Sequence, residues 1–217
     1  MPNKSPGKKT AYGVYIIESL RSENFADGEN LHDILGLVGI ISVHQWADTV
    51  EDVERFIQDF KSSNFRYLHF SCHADETGLL INGEKLSNSL LELRLSGGLQ
   101  NKRIFMAACR GGNRDLAEGL VGRCRAYSLI GTPVDLPFEK SVIFWPTFYH
   151  LMNEVDEKKM IREDIKIILK NCVELLHVPI NYYSRIDASH IRRLKVRAGK
   201  PTNNTKLNFG PKKKEEQ

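Results

Sequence analysis

Long apolar runs are missing from this sequence. Each is broken by a charge or a glycine within a few residues, and nothing approaches the roughly 20 apolar residues of a membrane-spanning helix. The first ten residues, MPNKSPGKKT, are polar and basic. They lack the apolar core of a secretory leader, so a cytoplasmic location without membrane contact is the expectation. Cysteine is scarce as well. Cys72, Cys109, Cys124 and Cys172 are too few and too scattered for a disulfide scaffold, and they read as reduced thiols. No C-x-x-C pair occurs, which argues against a structural zinc site. Cys72, His73 and Cys109 alone would leave a metal without a fourth ligand, and no cofactor is expected. There is also no G-x-G-x-x-G fingerprint and no phosphate-binding lysine motif, so a nucleotide-binding flavodoxin-like domain has little support.

What is present is ordinary globular material. At 217 residues, 41% hydrophobic and 27% charged, the chain can bury one full core without staples. The net charge of +4 is unevenly spread. From Arg185 onward ten Lys/Arg stand against three Asp/Glu, a surplus of seven, so the residues before it sum to −3. The basic character therefore belongs to the end of the chain. It reads as a solvated tail, and with few aromatics there, nucleic acid is not an expected partner.

Strand and helix patterns alternate. YGVYIIE (12–18) and VGIISVHQW (38–46) read as strands, with a loop and a short helix between them. ADTVEDVERFIQDFKSS spaces Val50, Val53, Phe56, Ile57 and Phe60 as one helix face, with Asp48 or Thr49 as cap. RYLHFSC (66–72) is a strand and GLLINGEKLS a hairpin turning at Asn82-Gly83. Residues 87–95 form a helix. RIFMAAC is a strand, GNRDLAEGLVGR a helix capped by Asn113, and AYSLIGT a strand. Two helices follow, FEKSVIFWPTFYHLMNE and EKKMIREDIKIILKNCVELL, the first expected to kink or restart at Pro146. The chain after Pro179 looks less regular. The expected organisation is a flexible 1–10, one domain over 11–180, and a basic, partly disordered extension over 181–217. The expected fold is an α/β/α sandwich around a mostly parallel sheet.

In such sheets function collects at the carboxyl ends of the strands. His73 follows one strand there and Cys109 closes another. Neighbouring strands would bring their ends within about 5 Å. An imidazole beside a thiol can take its proton and stabilise the thiolate. Gly111 and Gly112 permit a tight turn after Cys109. That turn would aim the amides of Cys109 and its neighbours at a developing oxyanion, with the following helix pointing its positive end the same way. The bland alternatives are a solvated histidine and a core thiol. Asp135, just past AYSLIGT, would either receive a Lys or Arg side chain of a substrate or cap a loop. Arg110 beside the cysteine would instead favour an acidic residue.

AACRGG is similar to the nucleophile pattern of caspases, and LHFSCHAD to the block holding that family's histidine. The ordered set from about Arg66 to Leu151, through YSLIGTPVD and FWPTFYHLM, most resembles the CHAT branch of caspase-like (clan CD) cysteine peptidases. The resemblance implies a caspase-like sheet and a cysteine endopeptidase. His73 would be the general base, Cys109 the nucleophile, and the amides of Ala74 and Cys109 the oxyanion donors. The implied partners are a protein or peptide substrate and an activating protein or signal ligand, as in regulated effectors of bacterial defence or cell death. Ala74 stands where the family commonly has glycine, and Ala107 where caspases have glutamine, so the caspase pocket for aspartate does not carry over. An inactive caspase-like interaction module is the alternative.

Overall fold

A computed structural model of the chain describes residues 11–20, 26–187 and 190–199. Residues 1–10 and 200–217, which hold the expected flexible ends, lie outside the described residues. Among the described residues nine strands form one sheet, seven of them in the order β2-β1-β3-β6-β7-β8-β9 and the other two as a hairpin on the end of β3. β1 (Ala11–Ser19), β2 (Ile41–Trp46), β3 (Phe65–Asp75), β6 (Arg103–Met106) and β7 (Ser128–Gly131) run parallel. β8 (Ile180–Arg185) and β9 (Ile191–Val196) are antiparallel additions at one edge. Helices cover both faces, so the expected α/β/α sandwich around a mostly parallel sheet is present.

The period-two alternation of each strand feeds two separate cores. In β3, Leu68, Phe70 and Cys72 pack with α2 (Val50–Ser62), α3 (Asn88–Leu95) and α4 (Arg114–Ala117). Tyr67 faces the other way, toward α1 (Asp27–Leu37), α5 (Phe138–Val155) and α6 (Arg162–Leu176). Helix α2 starts where sequence chemistry dictates. Thr49 accepts from the Asp52 amide at 3.1 Å and Asp52 reaches back to the Thr49 amide at 3.1 Å, a capping box.

Three expectations are corrected. The domain does not end at residue 180: β8 and β9 continue the sheet to Val196, and their Tyr182, Tyr183 and Val196 are buried in its cores. The charged pattern Arg192-Arg193-Lys195 hid β9, because an edge strand presents one face and one edge to water. Helix α5 passes through Pro146 without restarting. Phe144, Trp145, Phe148, Tyr149 and Met152 anchor it to the sheet on both sides of the lost hydrogen bond. Finally, β3 does not stop at Cys72. It runs on through His73 to Asp75 because those residues pair antiparallel with β4 (Gly78–Ile81), the first strand of the hairpin completed by β5 (Glu84–Ser87).

Candidate active site

The β3–β6 register runs from Tyr67 opposite Arg103 to Phe70 opposite Met106, and the Ala107 amide still donates to the Phe70 carbonyl at 2.9 Å. Three residues further along each chain stand His73 and Cys109. Both line one cleft of about 120 Å³ at the carboxyl ends of the strands. His73 is exposed and Cys109 half-buried.

The four cysteines differ in kind. Burial pushes Cys72 up to about 12, with the charges of Glu18 and Cys109 adding, and burial pushes Cys124 and Cys172 up to about 11. Such thiols stay protonated and inert. Cys109 is partly open to the cleft, the Leu136 amide donates to its Sγ at 3.3 Å, and its Sγ lies 3.8 Å from the Leu136 carbonyl. The histidines separate in the same way. His69 lies sealed in the core with its pKa lowered to about 3 by burial, Nδ1 3.2 Å from the Tyr149 hydroxyl.

The turn after Cys109 is tight. Arg110 takes a left-handed φ of 56°. Gly112 packs against the end of β7, so that a Cβ would sit 2.2 Å from the Gly131 carbonyl oxygen, and only glycine fits. The amides of Arg110, Gly111 and Gly112 donate to the carbonyls of Val134, Ala108 and Thr132. They are spent on holding the turn, which narrows the expectation that Cys109 and its neighbours all face an oxyanion. Among the described residues the Cys109 amide itself has no hydrogen-bond partner. Ala74 lies in the antiparallel end of β3, opposite Leu79. Helix α4 has four residues before it loosens into a π-helical turn over Glu118–Arg123, so its dipole contribution is small. Asn113 caps it, accepting from the Leu116 amide at 2.8 Å and donating to the Arg110 carbonyl at 3.0 Å.

Asp135 and Arg110 find each other. Arg110 Nε and Nη2 donate to the two carboxylate oxygens at 2.9 and 2.8 Å, and Nη1 lies 3.5 Å from Glu76. The pair is exposed, lies outside the cleft lining, and ties the β7–α5 connection to the loop between β3 and β4. Asp135 therefore already holds a cation from its own chain.

The acid inside the cleft is Asp27, which sequence reasoning missed. It is 3% exposed and accepts from Ser141 Oγ at 2.9 Å and, more weakly, from Ser71 Oγ at 3.5 Å. Burial above all, with the charge of Glu18 adding, raises its pKa to about 6 against the opposing hydroxyl hydrogen bonds. Glu18, wholly buried, accepts from the amides of Gly28 and Glu29 at 2.7 and 2.9 Å and lies 2.8 Å from His44 Nε2. The available signal was positional: Glu18 ends the apolar run of β1, and Asp27 follows that strand's carboxyl end. Among the described residues no group of three or more His, Cys, Asp or Glu could hold a metal ion, and no helix is long and apolar enough to cross a membrane.

No family model and no curated protein matches this chain. Solved structures do. A secreted C11 cysteine protease from Bacteroides thetaiotaomicron, solved with an irreversible peptide inhibitor, superposes over 80% of this chain and 66% of its own, with TM-score 0.53 and 11% identity. The Arg-specific cysteine proteinase gingipain R superposes over 77% of this chain and 43% of its own, with TM-score 0.52 and 15% identity. The chain thus spans less than two thirds of either neighbour's length. What it shares with these clan CD cysteine proteases is the caspase-like fold.

Proposed function

We propose that this chain is a cysteine endopeptidase that cleaves after a basic residue, with Cys109 as nucleophile, His73 as general base and Asp27 as the acid that receives the basic side chain. The observation that carries the reading is the cleft itself. One half-buried thiol and one exposed imidazole from adjacent strand ends meet there over a buried carboxylate. That two cysteine proteases, one of them Arg-specific, share the fold adds support.

The chemistry follows from placement. His73 takes the Cys109 proton, and the thiolate attacks the peptide carbonyl carbon. The Cys109 amide, joined by that of Ala74, receives the oxyanion. His73 then protonates the leaving amine as the C–N bond breaks, which leaves a thioester. Water, deprotonated by His73, hydrolyses the thioester and restores the thiol. Leu20, Leu136 and Phe138 offer apolar wall to the stem of a Lys or Arg side chain, and Asp27 meets its charge.

The CHAT branch is the member of the clan that the ordered motifs favour. With it goes a cytoplasmic effector, silent until an activating protein or signal ligand arrives, in bacterial defence or cell death. The test is cleavage of a peptide library by Cys109→Ala and Cys72→Ser variants, with candidate activators present. Loss only in Cys109→Ala is expected, with Arg or Lys preceding the cut. Cleavage retained in Cys109→Ala would sink the proposal. Failure of Cys109 to react with a thiol-directed peptide probe under every activating condition would favour an inactive binding module.

A further inference from the structure

The pole opposite the cleft gathers an excess of positive charge. It is built from the amino ends of the parallel strands: Arg66 beside the start of β3, Arg103 opening β6, Tyr127 just before β7. Arg185 ends the antiparallel β8 next to them. Two adjoining hollows of about 470 and 170 Å³ share Tyr127 and Arg162 in their linings. The one carboxylate lining them belongs to Glu163, which lies 3.7 Å from Lys166.

The cations of these hollows lean on neutral acceptors. Arg66 Nε donates to the Asn101 carbonyl at 3.2 Å, and Arg162 Nη2 to the Arg185 carbonyl at 2.8 Å. Arg103 is only 5% exposed, and its guanidinium donates to Ser128 Oγ at 3.0 Å and to the Met160 carbonyl at 2.8 Å. No carboxylate pairs with it among the described residues. A buried guanidinium without a counter-ion is costly, and an anion in the hollow relieves that cost. Its guanidinium also lies 5.0 Å from the ring of Tyr127, which is 37% exposed. The charge continues past these hollows. Arg125, two residues before Tyr127, lines a third hollow of about 550 Å³ with Arg114, Arg123 and His190; its one carboxylate, Glu118, pairs with Arg114, and His190 pairs with Asp187. Arg192 and Arg193 are exposed on β9.

We propose that this pole binds single-stranded nucleic acid, with phosphates on the arginines and a base stacked on Tyr127. Arginine suits phosphate because its fork donates two parallel hydrogen bonds. A strip of hollows suits a polymer better than a single nucleotide. The exposed ring among arginines has a use for a base and none for an acidic side chain. This departs from the expectation drawn from charge along the chain. The cations at positions 66, 103, 125, 162 and 185 are dispersed in sequence, and only the sheet assembles them.

The experiment is fluorescence anisotropy of labelled 20-nucleotide oligo-dT and oligo-U with the full chain. With about four phosphates engaged, affinity falls about 50-fold between 50 and 200 mM salt. Arg162→Glu and Lys159→Glu each weaken binding tenfold or more. Tyr127→Ala weakens oligonucleotide binding about fivefold and leaves polyphosphate binding unchanged. Lys159 is exposed, so its variant stands if Arg162→Glu shifts the thermal midpoint. Absence of binding at 50 mM salt overturns the proposal. So does undiminished affinity in the charge-reversed variants, which would assign binding to the lysines of residues 200–217. Competition by polyglutamate as strong as by oligonucleotide, with Tyr127→Ala inert, overturns it in favour of an acidic protein.

Discussion

At the residue scale, Asp27 carries two opposed effects. Its folded-state pKa of about 6 lies above the ordinary 3.8, so between those values the native state binds more protons than the unfolded chain. Stability on this account is greatest below pH 4 and is lost as pH rises through 6, by about 3 kcal/mol in all. Under the proposed function, the charged form is nevertheless the one that would meet a basic substrate. Two outcomes follow for Asp27→Asn. The thermal midpoint at pH 7 rises, while KM for Arg and Lys peptides rises about 100-fold with kcat less affected. In the unaltered chain, preference for basic over neutral peptides, measured as a ratio of kcat/KM, declines as pH falls below 6. A pH-independent ratio removes Asp27 from the specificity pocket. With His73 as the proposed general base, His73→Ala is expected to lower kcat about 1,000-fold with the thermal midpoint unchanged, since the side chain is exposed.

At the element scale, the turn from β6 into α4 and the start of α2 test packing and capping separately. Gly112→Ala forces a methyl against the Gly131 carbonyl and the end of β7. The expected cost is about 2 kcal/mol in urea unfolding. Activity should fall further than stability explains, because the same shift moves Cys109. Thr49→Ala removes one half of the α2 capping box and costs about 1 kcal/mol, with kcat/KM unchanged, since α2 lies on the sheet face away from α1 and α5. The Arg110–Asp135 pair belongs to this scale too. As an exposed ion pair it contributes little to stability, and it acts by tying two loops across the turn that presents the thiol.

At the scale of the whole molecule, the sheet joins two cores that no single helix layer could sustain. Truncation after residue 179 removes β8 and β9, and with them Tyr182 and Tyr183, one buried on each face. Each such ring contributes about 2 kcal/mol by burial alone, and buried Ile180, buried Val196 and the ladder to β7 go with them, so the loss is comparable with the whole margin of an ordinary domain. The truncated chain is expected to be unfolded by circular dichroism, whereas an enzyme complete at residue 180 would fold.

Much of this was legible in the sequence because it is local. β-branched runs, Asn82-Gly83, the acids and Lys61 around α2, and the glycines after Cys109 each act on a few neighbouring residues. Strand alternation with helices then permits few topologies, and the paired strand-end residues His73 and Cys109 emerge from that order. Tertiary structure decided what depends on distance through space. Glu18 and Asp27 become a buried acidic pair only when α1 folds back over β1 and Ser71 and Ser141 close around them. Asp135 loses its expected part because Arg110 reaches it first. β9 reads as a charged tail until β8 offers it a ladder. The physical reason is common to all three: burial, hydrogen-bond partners and counter-charges are set by residues distant in the chain, and a linear pattern does not contain them.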